Sequence, residues 1–192
     1  MDLAIVLAGT SSKQQELYNR QIAYVLELLR QYNIQNQYTR LAAVTNGNSF
    51  RTIFNFKEGN NYKTVRQFFR DITNPGEQKD TSKATNLILN NIFSASNGAR
   101  GLNTPRTVVF VVTKDTDIKQ LKEDIKKIQK NDINLILVVL GDDINKSPFV
   151  NIVPSTKRVI FLEDDDKLSK TKDLVDQTVK VVLAGKKKLT NN

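Results

Sequence analysis

Three continuous apolar runs limit what this chain can become: Leu3 to Leu7, Thr107 to Val112 and Ile133 to Leu140. Each is rich in β-branched residues and lacks the apolar–polar alternation of a half-solvated strand. Such runs suit strands covered on both faces, as in the middle of a parallel sheet. The first run ends in Ala8-Gly9-Thr10-Ser11-Ser12, a small hydroxyl-rich turn, and a long amphipathic stretch follows. A buried strand, a short polar loop and a helix together form a crevice at the carboxyl end of the strand. Open α/β sheets place their binding sites there.

Taken in order, Gln14 to Tyr32 reads as a helix, with Tyr18, Ile22, Val25, Leu26 and Leu29 on one face and Ser11 or Ser12 as its cap. Arg40 to Thr45 reads as a second strand. Asn46-Gly47-Asn48 is a hairpin signal, so Phe50 to Phe56 is expected to return antiparallel. Tyr62 to Ile72 is a short helix stopped by Asn74-Pro75-Gly76. Asp80 to Phe93 is another, capped by Asp80 or Thr81. Helices are also expected over Ile118 to Lys130, briefly over Ser147 to Val153, and over Lys167 to Leu183, where Gly185 closes the last. Arg158 to Leu162 reads as a short edge strand. The alternation predicts an α/β fold: a doubly wound, mostly parallel six-stranded sheet with one antiparallel edge strand and helices on both faces. Residues 1–185 are expected to form one domain and 186–192 a basic, flexible tail.

Composition removes several chemistries. The chain has no cysteine and no histidine. Thiol catalysis, disulfides, cysteine metal sites and histidine-based acid–base or triad chemistry are therefore unavailable. No apolar run approaches the roughly 18 residues of a membrane span. The first strand begins at residue 2, with no signal peptide ahead of it, as in a domain taken from within a longer chain. Ala8-Gly9-Thr10 lacks the spacing and the lysine of a phosphate-binding loop. The formal net charge is +9, which favours acidic partners.

The element order, the opening strand with its hydroxyl turn, and Asn97-Gly98-Ala99-Arg100 followed by Pro105-Arg106-Thr107-Val108-Val109 resemble a von Willebrand factor A domain, in particular the collagen VI and matrilin branch. The resemblance covers essentially the whole chain. It implies a Rossmann-like fold and a metal-ion-dependent adhesion site. In that site an aspartate and two hydroxyls of the first loop, a threonine of a second loop and an aspartate after the central strand hold a hard cation. The cation's open position takes an acidic side chain of the partner.

Carried onto this sequence, the site positions are Ala8 for the first aspartate, Thr10 and Ser12 for the hydroxyls, Lys79 for the threonine and Lys114 for the second aspartate. A one-residue slip in the second loop would offer Asp80 in place of Lys79. Both carboxylates are replaced, and two ammonium groups stand nearby. Like charges ~4 Å apart repel by ~1 kcal/mol in water and by more in a crevice. The expectation is therefore no metal and no cofactor. Two placements of Lys114 are open: its ammonium sits where the cation would be and donates to Thr10 and Ser12, or it bends out to water.

Lys119, Lys122, Lys126, Lys127 and Lys130 give one helix a basic outer face, and Lys186, Lys187 and Lys188 add a cluster in the tail. These lysines are candidate contacts for a protein partner or a heparin-like acidic glycan, or simply a solvated surface. Phe54, Phe56, Phe68 and Phe69 fall at core spacing and do not interleave with the lysines as a nucleic-acid stacking platform would. Glu163-Asp164-Asp165-Asp166 lacks the pattern of a calcium loop. The expected function is a non-enzymatic, extracellular adhesion or matrix module within a longer chain, with collagen among its candidate partners and no nucleic-acid or membrane role. The alternatives are a structural spacer among repeated A domains, or a parasite surface adhesin domain.

Overall fold

The apolar runs become inner strands because both of their faces are covered. A computed structural model of the chain describes residues 1–78, 80–101, 103–163 and 173–182. Its strands are β1 (Asp2–Ala8), β2 (Arg40–Asn46), β3 (Arg51–Gly59), β4 (Arg106–Thr113), β5 (Asn134–Leu140) and β6 (Val159–Leu162). They form one sheet in the order β3-β2-β1-β4-β5-β6. All neighbours are parallel except β2 and β3, and β6 lies at the far edge as a short strand. Every residue of β1 is buried. The helices are α1 (Gln15–Arg30), α2 (Tyr62–Asp71), α3 (Thr81–Leu87), α4 (Ile118–Lys130) and α5 (Lys146–Val150), with α6 over 173–182.

The pleat divides the strand side chains into two cores. Leu3, Ile5, Leu7, Val109 and Val138 meet α1, α2 and α6 on one face. Ala4, Val6, Val108, Phe110 and Val139 meet α3, α4 and α5 on the other. Phe54 stacks on Phe68 at 5.0 Å and meets Phe69 edge-on at 5.6 Å, which closes the first core beneath the hairpin. Asn61, Asp80 and Asp117 cap α2, α3 and α4 with side-chain acceptors.

Three local expectations are corrected. Neither Ser11 nor Ser12 caps α1. A single 3-10 turn, Ser12–Gln14, leads into the helix, and the Ser11 hydroxyl donates to Gln14 Oε1 at 3.0 Å. The buried stripe of α1 is also rotated toward Leu17, Gln21, Tyr24 and Leu28, leaving Ile22 and Leu26 only partly covered. The rotation places the amide of Gln21 against the end of β1 and the hydroxyl of Tyr24 against Thr178 of α6 at 2.6 Å. Finally, the helix expected over Asp80 to Phe93 widens into one π turn at Ile88–Ile92, which keeps Ile88 and Ile92 both buried. The tail with Lys186, Lys187 and Lys188, the acidic run from Asp164, and Lys79 lie outside the described residues.

The Asn97-Gly98-Ala99-Arg100 segment acquires a physical reason here. Gly98 takes a left-handed φ of 84°, where a β-carbon would stand 2.8 Å from the Lys57 backbone nitrogen. That turn brings Arg100 under the amino end of β1. Its backbone N–H and its Nε donate to the fully buried Asp2 carboxylate at 2.7 and 2.8 Å. Its Nη2 donates to the carbonyls of Met1 and Tyr38. Removing one partner of such a pair strands a buried charge. Arg100→Ala is expected to lower unfolding stability by about 3 kcal/mol, with Arg100→Lys intermediate, measured by chemical denaturation.

Candidate functional site

The crevice at the carboxyl ends of β1 and β2 is closed by the chain itself. Gly9 follows β1 and Gly47 follows β2, and the loop between α2 and α3 lies across both. A β-carbon on Gly9 would fall 1.7 Å from the Gly76 carbonyl oxygen, and one on Gly47 would fall 2.3 Å from it. Glycine is required at both positions by this close approach. The loop is held from every side. Ser49 donates its backbone N–H and its hydroxyl to the Pro75 carbonyl at 2.9 and 3.3 Å. Gln78 N–H donates to the Gly9 carbonyl at 3.1 Å. The Tyr18 hydroxyl donates to the Thr73 carbonyl at 3.1 Å, and burial pushes that phenol well above its ordinary range.

Asn74 is the centre of this closure. Its Oδ1 accepts from the N–H groups of Thr10 and Gly76 at 3.1 and 3.2 Å. Its Nδ2 donates to the Thr10 carbonyl and to Thr10 Oγ1, both at 3.0 Å. Thr10 Oγ1 in turn donates to the Gln14 carbonyl at 3.0 Å, so its hydroxyl is used in both directions. Thr10 is fully buried and Ser12 is exposed. Ala8 contributes only backbone: its N–H donates to Gln21 Oε1 at 3.0 Å and its carbonyl accepts from Gln21 Nε2 at 2.6 Å. Neither Gln21 nor Asn74 stood out in the sequence. A buried glutamine on an otherwise apolar helix face was the signal available for the first. An asparagine before Pro-Gly reads as a turn, which hides its second role.

Of the two placements open from the sequence, Lys114 takes the outward one and adds a contact to a neighbouring loop. It is exposed, yet its ammonium donates to the Asp142 carbonyl at 2.8 Å and makes no hydrogen bond to Thr10 or Ser12. Gly141 makes this path available. At φ 148° it carries no side chain where a β-carbon would meet the Lys114 stem at 2.9 Å. The Asp142 carboxylate meets Arg20 at 3.8 Å. The Lys114 ammonium therefore fastens the β4 loop to the β5 loop.

Beside this closure lies a cleft of about 270 Å³, between the start of α3 and the β4–α4 loop, lined by Gln78, Asp80, Thr81, Asp115, Thr116 and Asp117 among others. Two of its carboxylates are committed as helix caps: Asp80 accepts from Ser82 N–H at 2.7 Å, and Asp117 from Lys119 N–H at 2.8 Å. Thr81 is committed too. Its hydroxyl donates at 2.6 Å to the buried Asp124 of α4, which also receives Gln120 Nε2 at 3.2 Å and stands 3.5 Å from Lys127. This buried carboxylate ties the two helices that frame the cleft, and nothing in the lysine-rich pattern around it marked it out.

The basic face of α4 is present. Lys119, Lys122, Lys126, Lys127 and Lys130 are all exposed. Lys126 pairs with Glu123 at 2.7 Å, and this hydrogen bond together with the neighbouring lysine charges holds the Glu123 carboxyl below its usual range. Lys119, Lys122 and Lys130 make no ion pair among the described residues. No described helix is long and apolar enough to cross a membrane.

The closure makes its own prediction. Asn74→Ala leaves the buried Thr10 N–H without an acceptor and is expected to cost about 2 kcal/mol of unfolding stability. Gly9→Ala, which forces backbone against backbone, is expected to cost more. Denaturant titration of both variants checks the order.

The comparisons with known proteins agree with this architecture. The profile of the von Willebrand factor type A domain matches residues 2–177. The chain is 24% identical over 180 residues to von Willebrand factor A domain-containing protein 2 of Xenopus laevis, covering 93% of this chain and 22% of that protein. It is 25% identical over 179 residues to the collagen alpha-2(VI) chain of Gallus gallus, covering 86% of this chain and 17% of that one. The chain thus spans about a fifth of the length of these curated relatives. Among solved structures, proximal thread matrix protein 1 from the mussel byssus, with its metal-ion-dependent adhesion site occupied by zinc, superposes with a TM-score of 0.79 at 15% identity, over 94% of this chain and 47% of that one. Manganese-loaded TRAP protein of Plasmodium vivax superposes with a TM-score of 0.71 at 13% identity, over 91% of this chain and 73% of that one. With a profile match across most of its length and the strand order described above, the chain belongs to the von Willebrand factor type A domain family.

Proposed function

We propose that this chain is a non-enzymatic interaction module of a larger extracellular matrix or cell-surface protein, and that it engages its partner without a divalent cation. A domains are typically adhesion and matrix interaction modules, and one curated relative is a collagen VI chain. The observation that carries the metal-independent reading is the fourfold engagement of Asn74 with Thr10 and Gly76. A hard cation needs several oxygen ligands, with carboxylates among them. Here Ala8 supplies no side-chain oxygen, and the Thr10 hydroxyl is already saturated. The ammonium of Lys114 stands on the loop from which the second carboxylate would come. These residues do not fit the family's ion.

The partner surface, on this reading, is electrostatic. Lys119, Lys122 and Lys130, which make no ion pair among the described residues, form a basic face suited to a sulfated glycan or an acidic stretch of a matrix protein, and Lys126 extends it. Lys186, Lys187 and Lys188 of the tail belong to the same proposal by charge alone. Collagen and heparin immobilised on a solid phase provide the test, probed with and without chelator at low and physiological salt. Binding is expected to be indifferent to chelator and, for heparin, to weaken as salt screens the lysines. Lys119→Glu, Lys122→Glu and Lys130→Glu together are expected to weaken heparin binding on the order of tenfold, about 1.4 kcal/mol. Binding abolished by chelator would overturn the metal-independent reading. Silence on every surface at low salt would favour a spacer domain that packs against its neighbours.

A further inference from the structure

The loop after β5 carries a modification motif. Asn145-Lys146-Ser147 is the one Asn-x-Ser/Thr triplet with a non-proline middle residue in the whole chain. This is the acceptor pattern for N-linked glycan, and it requires a surface position. Asn145 and Ser147 are both exposed, at the junction where the β5 loop enters α5. We propose that Asn145 is an N-glycosylation site.

The local geometry leaves this side chain unemployed. Asn145 stands at the N-cap position of α5 with extended backbone, φ −70° and ψ 101°, and makes no side-chain cap bond. An N-cap side chain normally accepts from the second or third helical N–H. Here the third helical residue is Pro148, which has no N–H to give. By contrast, Asn61, Asp80 and Asp117 all hold such bonds. Of the asparagines beside the crevice, Asn74 clasps Thr10 and Asn46 is buried. Asn145 holds no structure together, and its amide is open to solvent.

The reaction is a group transfer without redox change. The Asn145 Nδ2 attacks the anomeric carbon of an oligosaccharide carried on a polyprenyl pyrophosphate. A C–N bond forms, the anomeric C–O bond to pyrophosphate breaks, the lipid pyrophosphate leaves with the electron pair, and Nδ2 gives up one proton. The co-reactant is the lipid-linked sugar of the secretory pathway. The proposal therefore rests on the extracellular reading for its natural setting, and the experiment separates the two. A glycan here would stand over the Asp142 rim, where Lys114 and Arg20 converge.

The test is secretion of the 192-residue chain from a glycosylating eukaryotic cell behind a heterologous leader, so that entry into the pathway is imposed. The product is then treated with peptide-N-glycanase and weighed by mass spectrometry. A single glycan is expected, released by the enzyme with Asn145 converted to aspartate. It should be absent from Asn145→Gln and Ser147→Ala and retained in Ser147→Thr. Because Asn145 is exposed and makes no side-chain cap bond, Asn145→Gln is expected to be secreted with the unmodified chain's stability. A secreted chain with intact Asn145, or a glycan that survives Asn145→Gln, overturns the assignment. Neither result bears on partner binding, so failure here and failure of the matrix reading are told apart by the solid-phase assay.

Discussion

A single backbone carbonyl governs the top of this molecule. Gly76 O occupies the space above Gly9 and Gly47 that any β-carbon would claim, and it reaches that position because Asn74 grips Thr10 from one side while Ser49 grips Pro75 from the other. The arrangement needs three things at once: glycine at the ends of two adjacent strands, a loop short enough to lie flat, and polar groups to satisfy a partly buried backbone. With these met, the crevice that an α/β sheet leaves at its carboxyl edge is filled by protein.

Charge follows the same logic. A ring of oxygens around a cation is stable only while the cation is there; without it, the carboxylates repel each other. In this chain the groups around the crevice are committed to one another. Ala8 exposes backbone to Gln21, and Lys114 bridges two loops through the Asp142 carbonyl. Asp80, Asp117 and Asp124 cap helices or join them. At the amino ends of the strands, the buried Asp2 carboxylate pairs with Arg100 and locks the start of β1 to the segment before β4. Positive charge left over is carried outward, on α4.

Much of the fold was legible in the sequence, because burial on both faces leaves an unmistakable mark on β1, β4 and β5, and because Asn46-Gly47-Asn48 marked the antiparallel return. Ala8 and Lys114 were singled out there by their register with a known motif. The contacts they make were not. Asn74 lies 64 positions from Thr10, and no local pattern links them. Gln21 looked like a helix-surface residue until the rotation of α1 buried it. The path of Lys114 depends on the missing side chain of Gly141, a contact that only the fold creates. Propensity and periodicity report on neighbours in sequence; these three residues act on neighbours in space.

The central claim is that the closed crevice takes no divalent cation. Calorimetric titration of the chain with magnesium and then manganese tests it directly. The account predicts only dilution heats, unchanged in Asn74→Ala. A saturable one-to-one isotherm at micromolar metal would contradict it.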